Sequence, residues 1–328
     1  MRVFITGEKG FIGTNLIARA ESFSDITIIT GYSNFKNVHV TDKGEPCVHK
    51  NDEAAWVDFL HINEIDVVIH NAAVVGTDVC ALNPREATLT NVQGTYNICR
   101  AAKSLNIAVC YMGTTVIYDT PKYQDKYITE NSTLLPTTLY GIQKLASESI
   151  VKTQTNTWMI VRPLFAYGGV GDMNSLIAKT IFATLNNKKC DMFLDTAKIK
   201  DYLHVNDYCD AVLTAIKTDE CWKDDFNISL DAPYNTAHIV ELIEAVTGKQ
   251  TTDIINWFPD TDYLGNHRLD SQKFRTRSGW QPKISLLDGI QMSYDSIKSS
   301  ENYNPLKHLE EAKNKNIDLT EFFQKQNM

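Results

Sequence analysis

The first half of this chain alternates short, strongly apolar runs with helical stretches, and that alternation admits few folds. The pattern predicts strands at Arg2–Thr6, Ile26–Thr30, Pro46–His49, Val67–His70, Ala108–Gly113 and Met159–Pro163. Helices are expected near Phe11–Ala20, Asp52–Ile62, Pro84–Ser104 and Tyr140–Gln154. Strands this apolar, with no polar alternation, are those buried on both faces, as in a parallel sheet covered by helices. The expected class is therefore α/β, with a doubly wound parallel sheet.

Beyond Pro163 the pattern loosens, beginning with the glycine-rich run Gly168-Gly169-Val170-Gly171-Asp172. Residues 1–163 are expected to form the sheet domain, with later segments returning to it. Residues 164–300 read mainly as a smaller α/β substrate region over the sheet's carboxyl ends, and 301–328 as a polar tail. The net charge of −8 and the absence of a dense Lys/Arg block argue against a nucleic-acid surface. No stretch approaches the ~18 apolar residues of a membrane span. Seven cysteines without C-x-x-C spacing read as reduced thiols, and the chain opens directly on MRVFIT, so a cytoplasmic setting is expected. The histidines and acids show no metal-ligand spacing.

Gly7-Glu8-Lys9-Gly10-Phe11-Ile12-Gly13 falls between the first strand and the first helix, the context a dinucleotide-binding turn requires. Its early glycines permit a tight turn and close approach of a pyrophosphate; Gly13 lets the helix pack on the strand. The expected architecture is thus Rossmann-type. NAD-binding folds of this kind carry Asp or Glu after the second strand for the ribose hydroxyls. Here Ser33, Asn34 and Lys36 follow instead, which favours NADP(H), with Lys36 facing a 2′-phosphate; NAD(H) is the alternative. Asn71-Ala72-Ala73 places small side chains at a strand end, where bulk would block the cofactor.

Tyr140 and Lys144 stand four apart on one helical face. A phenol titrates near ~10 and an ammonium near ~10.4, so an adjacent cation favours the phenolate. One cation about 5 Å away supplies roughly 3 of the roughly 4 kcal/mol needed to bring the phenol to neutrality. Thr114 follows the strand Ala108–Gly113, placed to hydrogen-bond a substrate oxygen beside Tyr140, and Thr115 is an equally simple candidate.

Taken together, these residues resemble a family. The glycine turn, Asn71-Ala72-Ala73, Asn91-Val92-Gln93-Gly94-Thr95, Thr114, Tyr140/Lys144, Arg162-Pro163 and Lys200-Asp201-Tyr202-Leu203-His204-Val205-Asn206-Asp207 occur in the order and spacing of the extended short-chain dehydrogenase/reductases of the nucleotide-sugar epimerase/dehydratase type. Leu269-Asp270-Ser271-Gln272-Lys273 and Gly279-Trp280-Gln281-Pro282 extend the likeness to about residues 1–298. The resemblance implies an enzyme with a nicotinamide-binding sheet, a nucleotide-linked sugar as substrate, and hydride transfer at a sugar carbon. It implies Thr114, Tyr140 and Lys144 as the catalytic trio. Gly7, Gly10, Phe11, Ile12, Gly13, Asn71, Ala72, Ala73 and Pro163 fall to the cofactor, joined by Tyr140 and Lys144. A homodimer through the helices over Pro84–Ser104 and Tyr140–Gln154 is a further implication.

Departures from the family narrow the reaction. Its 4,6-dehydratases carry Asp-Glu directly after the catalytic threonine, where this chain has Thr115 and Val116. Its 3,5-epimerase/reductases use a cysteine at the position of Val116. The expectation is therefore an NADPH-dependent 4-ketoreductase of a nucleotide-linked 4-keto-6-deoxyhexose. The alternative is an NAD-dependent 4-epimerase, and a nucleotide-sensing scaffold without chemistry is a third reading. Lys200 replaces the family's usual arginine at the diphosphate, Arg268 is a second phosphate candidate, and Phe165 replaces an asparagine contact. His204 and Asp207 read as capping or joining residues.

Overall fold

Strand burial in this computed structural model follows the apolar pattern. The structure describes residues 1–30, 39–40, 46–47, 52–169, 171–172, 175–259, 265–300 and 304–306. The main sheet contains β1 (Arg2–Thr6), β2 (Thr27–Ile29), β3 (Val67–His70), β4 (Ala108–Met112), β5 (Trp158–Pro163) and β6 (Asp224–Ile228). Their order is β6-β5-β4-β3-β1-β2, and every pairing is parallel.

The first helices are α1 (Phe11–Ala20), α2 (Glu53–Ile62), α3 (Thr77–Leu82), α4 (Pro84–Thr88), α5 (Thr95–Ser104) and α6 (Leu139–Gln154). They are followed by α7 (Leu176–Asn186), α8 (Val205–Ala215), α9 (Thr236–Thr247), α10 (Gln272–Ser278) and α11 (Leu286–Ser299). Successive strand residues point to opposite faces. Val3 and Ile5 join a core with Leu16 of α1 and Val212 of α8, while Phe4 joins Trp56 of α2, Ile98 of α5 and Val151 of α6. This covering of both faces is the physical reason the strands are continuously apolar. A further core gathers Ile177 and Ile181 of α7, Ile239 and Ile243 of α9, and Ile290 of α11. Among the described residues no helix is long and apolar enough to cross a membrane.

Two expectations are corrected. The run Pro46–His49 contributes only Pro46–Cys47, paired antiparallel with His39–Val40 outside the main sheet. The sixth strand is instead β6, whose leading acids Asp224 and Asp225 hide it from a hydrophobic reading. Those acids are bound by Lys273, with Nζ 2.5 Å from Asp224 Oδ1, and by Lys152 at 3.1 Å from Asp225 Oδ2. The expected helix Pro84–Ser104 is broken, with a π turn over Leu89–Gly94 between α4 and α5. Side-chain caps set the start of other helices. Asp52 accepts from Ala55 N at 3.0 Å to start α2, and Thr138 Oγ1 accepts from Gly141 N at 3.1 Å to start α6. β1 lies between β2 and β3, so winding reverses there and opens a crevice at the carboxyl ends of β1 and β3.

Candidate active site

The turn between β1 and α1 sits at that crevice. Gly7 has φ +70°, and a Cβ there would lie 2.9 Å from the Ala72 Cα. The small side chains of Asn71-Ala72-Ala73 and the bare Gly7 therefore require one another. A Cβ on Gly13 would overlap the Gly7 carbonyl and reach 2.7 Å from the Glu8 Cα, so α1 can start this close to the turn only with glycine. No side chain caps α1, whose N-cap is Gly10, and no acid occupies its first turn. Its leading amides and dipole are thus left for an anion, and a dinucleotide pyrophosphate fits this cradle. The later glycine loop lies across the start of α1: a Cβ on Gly171 would be 3.9 Å from the Phe11 Cα.

A buried hydrogen-bond chain runs from this turn to α6. The amides of Asn71 and Ala72 both donate to Thr6 Oγ1 at 3.0 Å, which directs the Thr6 hydroxyl hydrogen to His70 Nδ1, 2.8 Å away. His70 Nε2 then donates to Thr95 Oγ1 at 3.0 Å, and Thr95 donates to the Asn91 carbonyl at 2.6 Å. Ser147 of α6 donates to the same carbonyl, also at 2.6 Å. Burial, and secondarily Lys144, pulls the His70 pKa down to about 3, so the ring is the neutral tautomer this chain requires. The Asn91 side chain donates to the Val74 carbonyl at 3.0 Å and to Gln143 Oε1 at 2.9 Å. The π turn holding Asn91 therefore locks α6 to the strip after β3.

Thr114, Tyr140 and Lys144 converge. Thr114 and Tyr140 line a cavity of about 250 Å³ with Gly76, Thr115, Pro163 and Phe165. Lys144 lies behind it, 3% exposed, its Nζ donating to the Met112 carbonyl at 2.5 Å and standing 4.2 Å from the centre of the Tyr111 ring. Burial pulls the Lys144 pKa down to about 7 against the opposing pull of Glu148. This amends the sequence expectation, which gave Lys144 an ordinary ammonium. Among the described residues lining the cavity, Tyr140 is the one ionisable side chain.

Other expected residues fall elsewhere. Ser33 and Lys36 lie outside the described residues. Pro163 lines the cavity, and Thr115 lines it beside Val116. Lys200 is fully buried, donating to the Gly265 carbonyl at 2.7 Å with its Nζ 5.8 Å from the centre of the Phe165 ring, so it stands behind the cavity wall. Arg268 Nη1 donates to the Gln124 carbonyl at 3.0 Å. His204 accepts from Asn206 N at 3.3 Å to cap α8, and Asp207 accepts from the amides of Lys283 and Ile284 at 3.0 and 2.8 Å. The sequence reading gave no role to Gln143 or Glu148, although both flank Tyr140/Lys144 at helical spacing. Their partners, Asn91 and Arg162, are 52 and 14 residues away, so only the fold brings them together.

The family profile described as NAD dependent epimerase/dehydratase family matches residues 3–229. Human dTDP-D-glucose 4,6-dehydratase is 24% identical over 95% of this chain and 93% of its own. Among solved structures, UDP-glucuronic acid 4-epimerase from Bacillus cereus, in complex with UDP-glucuronic acid and NAD, superposes with a TM-score of 0.77 at 21% identity, over 91% of this chain and 99% of that one. RMD from Pseudomonas aeruginosa, complexed with NADPH, gives a TM-score of 0.75 at 19% identity over the same shares, 91% and 99%.

Proposed function

The chain belongs to the NAD dependent epimerase/dehydratase family, an enzyme family using a nicotinamide cofactor, and we propose that it is an NADPH-dependent 4-ketoreductase of a nucleotide-linked 4-keto-6-deoxyhexose. The observation that carries this reading is the cavity lining. Thr115 and Val116 occupy the wall beside Thr114, and no carboxylate, cysteine or histidine stands among the described lining residues. Elimination of water needs a second proton donor and acceptor besides the tyrosine; carbonyl reduction needs only one proton. Human dTDP-D-glucose 4,6-dehydratase is a relative by sequence, and this wall is where the chain departs from dehydration chemistry.

In this reading the turn of Gly7, Gly10, Phe11, Ile12 and Gly13 holds the pyrophosphate, with Asn71, Ala72, Ala73 and Pro163 leaving room for the cofactor. A nicotinamide ring bound there supplies the hydride. Thr114 donates a hydrogen bond to the substrate carbonyl oxygen and Tyr140 hands that oxygen its proton. Lys144 holds positive charge behind the phenol and binds the nicotinamide ribose. Thr115 contacts the sugar, and Lys200 and Arg268 set the positive potential at the diphosphate. A homodimer through α5 and α6 completes the proposal, supported by the exposure of Tyr96 and Ile142 on those helices. The second reading is 4-epimerisation with NAD, supported by the epimerase likeness and by a cavity in which Tyr140 alone could return the proton.

Identifying the dinucleotide released from purified protein, then following NADPH consumption with 4-keto-6-deoxy nucleotide sugars, tests the reading. NADPH turnover is expected, and Tyr140→Phe is expected to lower kcat by roughly 10²-fold or more while cofactor affinity holds. Stoichiometric bound NAD with no response to NADPH would replace the reductase by the epimerase.

A further inference from the structure

Arg162, at the end of β5, is 1% exposed and belongs to no wall of the cavity, yet both halves of the candidate site are tied to it. Its Nε donates to Glu148 Oε1 at 3.0 Å and its Nη2 to Glu148 Oε2 at 2.8 Å, a two-pronged pair with the helix that carries Tyr140 and Lys144. Its Nη1 donates to Tyr118 Oη at 2.8 Å, at the far end of the loop that begins with Thr114. Tyr118 in turn donates to Asn227 Oδ1 at 2.8 Å, and Nη2 of Arg162 also meets Asp225, both on β6. The space for this hub exists because residue 113 is glycine: a Cβ there would stand 2.7 Å from Glu148 Oε1 and 3.1 Å from Arg162 Cγ. Thr114 therefore leaves β4 immediately over the buried pair.

We propose that Glu148 and Arg162 are positioning residues of the reaction, holding α6 and the Thr114 loop in one register and setting the charge on Lys144. Glu148 follows Lys144 by one helical turn and raises its pKa, opposing burial. Apart from Tyr140, the proposed proton donor on the same helix, the other groups around Lys144 among the described residues are not anionic at neutral pH. His70 on β3 is neutral, the Cys80 thiol on α3 is pushed up to about 11, burial pushes the Tyr111 hydroxyl on β4 well above its ordinary value, and the Met112 carbonyl is uncharged. Among the described residues Glu148 is thus the one carboxylate acting on Lys144, and Arg162 fixes where that carboxylate points. This role rests on the reading of Tyr140 and Lys144 as the proton-transfer pair, but its test does not depend on turnover.

The test is a pH titration of the lysine side-chain resonances in full-length protein carrying labelled lysine, with Lys144 assigned by its loss in Lys144→Met. Glu148→Gln is expected to lower the Lys144 midpoint by at least about one pH unit, since it deletes a near opposite charge and leaves Arg162 with Asp225 as its remaining carboxylate partner. Asp225→Asn, at a half-buried position less exposed to misfolding, is expected to lower it by a smaller amount. It keeps the proposal open to refutation if the first variant does not fold. An unchanged or raised midpoint in a folded variant overturns the proposal, whatever the substrate proves to be. In steady-state kinetics both variants are expected to lower kcat more than they raise KM.

Discussion

At the residue scale, the site works against its own stability. Lys144 is buried, and its pKa falls from 10.5 unfolded to about 7 folded. Between those values the unfolded chain binds the extra proton, so stability rises with pH across that window and is lost as pH falls through it. Below the folded value the cost is constant. Linkage over 3.5 pH units at ~1.4 kcal/mol each sets an upper bound of roughly 5 kcal/mol. Lys144→Met is accordingly expected to stabilise the fold near pH 7 by up to a few kcal/mol, offset in part by the lost bond to Met112. That gain should shrink as pH rises towards 10, while activity disappears. Denaturant unfolding of both proteins at pH 7 and 9.5 checks this; a gain independent of pH would mean that the amine carries no burial cost. The Tyr140/Lys144 spacing was visible in the sequence, because four residues on a helix share a face whatever the fold. Their electrostatics were not, since neither burial nor the Arg162–Glu148 pair is written locally.

At the element scale, the glycine turn is the most legible part of the molecule and the least tolerant. Its backbone is packed against backbone, which cannot relax as a flexible side chain would. Gly13→Ala pushes a methyl into the Gly7 carbonyl and the Glu8 Cα. A loss of about 1–3 kcal/mol is expected from overpacking. Displacement of α1 from β1 should also weaken dinucleotide affinity at least ~10-fold, the effect of about 1.4 kcal/mol. Thermal unfolding with and without dinucleotide, together with a binding titration, measures both; unaltered affinity would remove the turn from the cofactor site. Where the sequence reading erred at this scale, the reason was a conflict between local pattern and tertiary partner. The strand β6 opens on two acids because its edge position gives them cationic partners from α6, β5 and α10. The π turn at Leu89–Gly94 interrupts an otherwise helical pattern, and its Asn91 gains Gln143 and Ser147 as partners only once α6 packs beside it.

At the scale of the whole molecule, segments distant in sequence close on one another. Arg19 of α1 pairs with Asp210 of α8, and Asp207 of α8 holds the chain entering α11. The glycine loop after β5 returns to the start of α1. On the outer face of α6, Ile142 is 52% exposed, with Tyr96 of α5 also exposed. Burying such side chains in a proposed partner accounts for apolar residues at these positions, each contributing about 1.5–3 kcal/mol at a well-packed interface. Ile142→Glu is expected to convert a dimer to a monomer in sedimentation equilibrium, with the thermal midpoint of the dilute monomer little changed. A wild-type protein that sediments as a monomer at micromolar concentration would dismiss the α5/α6 dimer.

The sequence alone determined the parallel α/β class, the position of the glycine turn, and the identities of Thr114, Tyr140 and Lys144 as candidates. The class, the turn and the Tyr140/Lys144 pair follow from short-range rules: strand and helix periodicity, the missing Cβ of glycine, and the four-residue step of a helix; Thr114, which spacing left level with Thr115, follows from the family resemblance. Tertiary structure decided that β6 completes the sheet, that Lys200 sits behind the cavity wall, and that one buried guanidinium ties α6 to the Thr114 loop. Those outcomes depend on desolvation and on contacts between residues far apart in the chain, neither of which exists until the two faces of the sheet are covered.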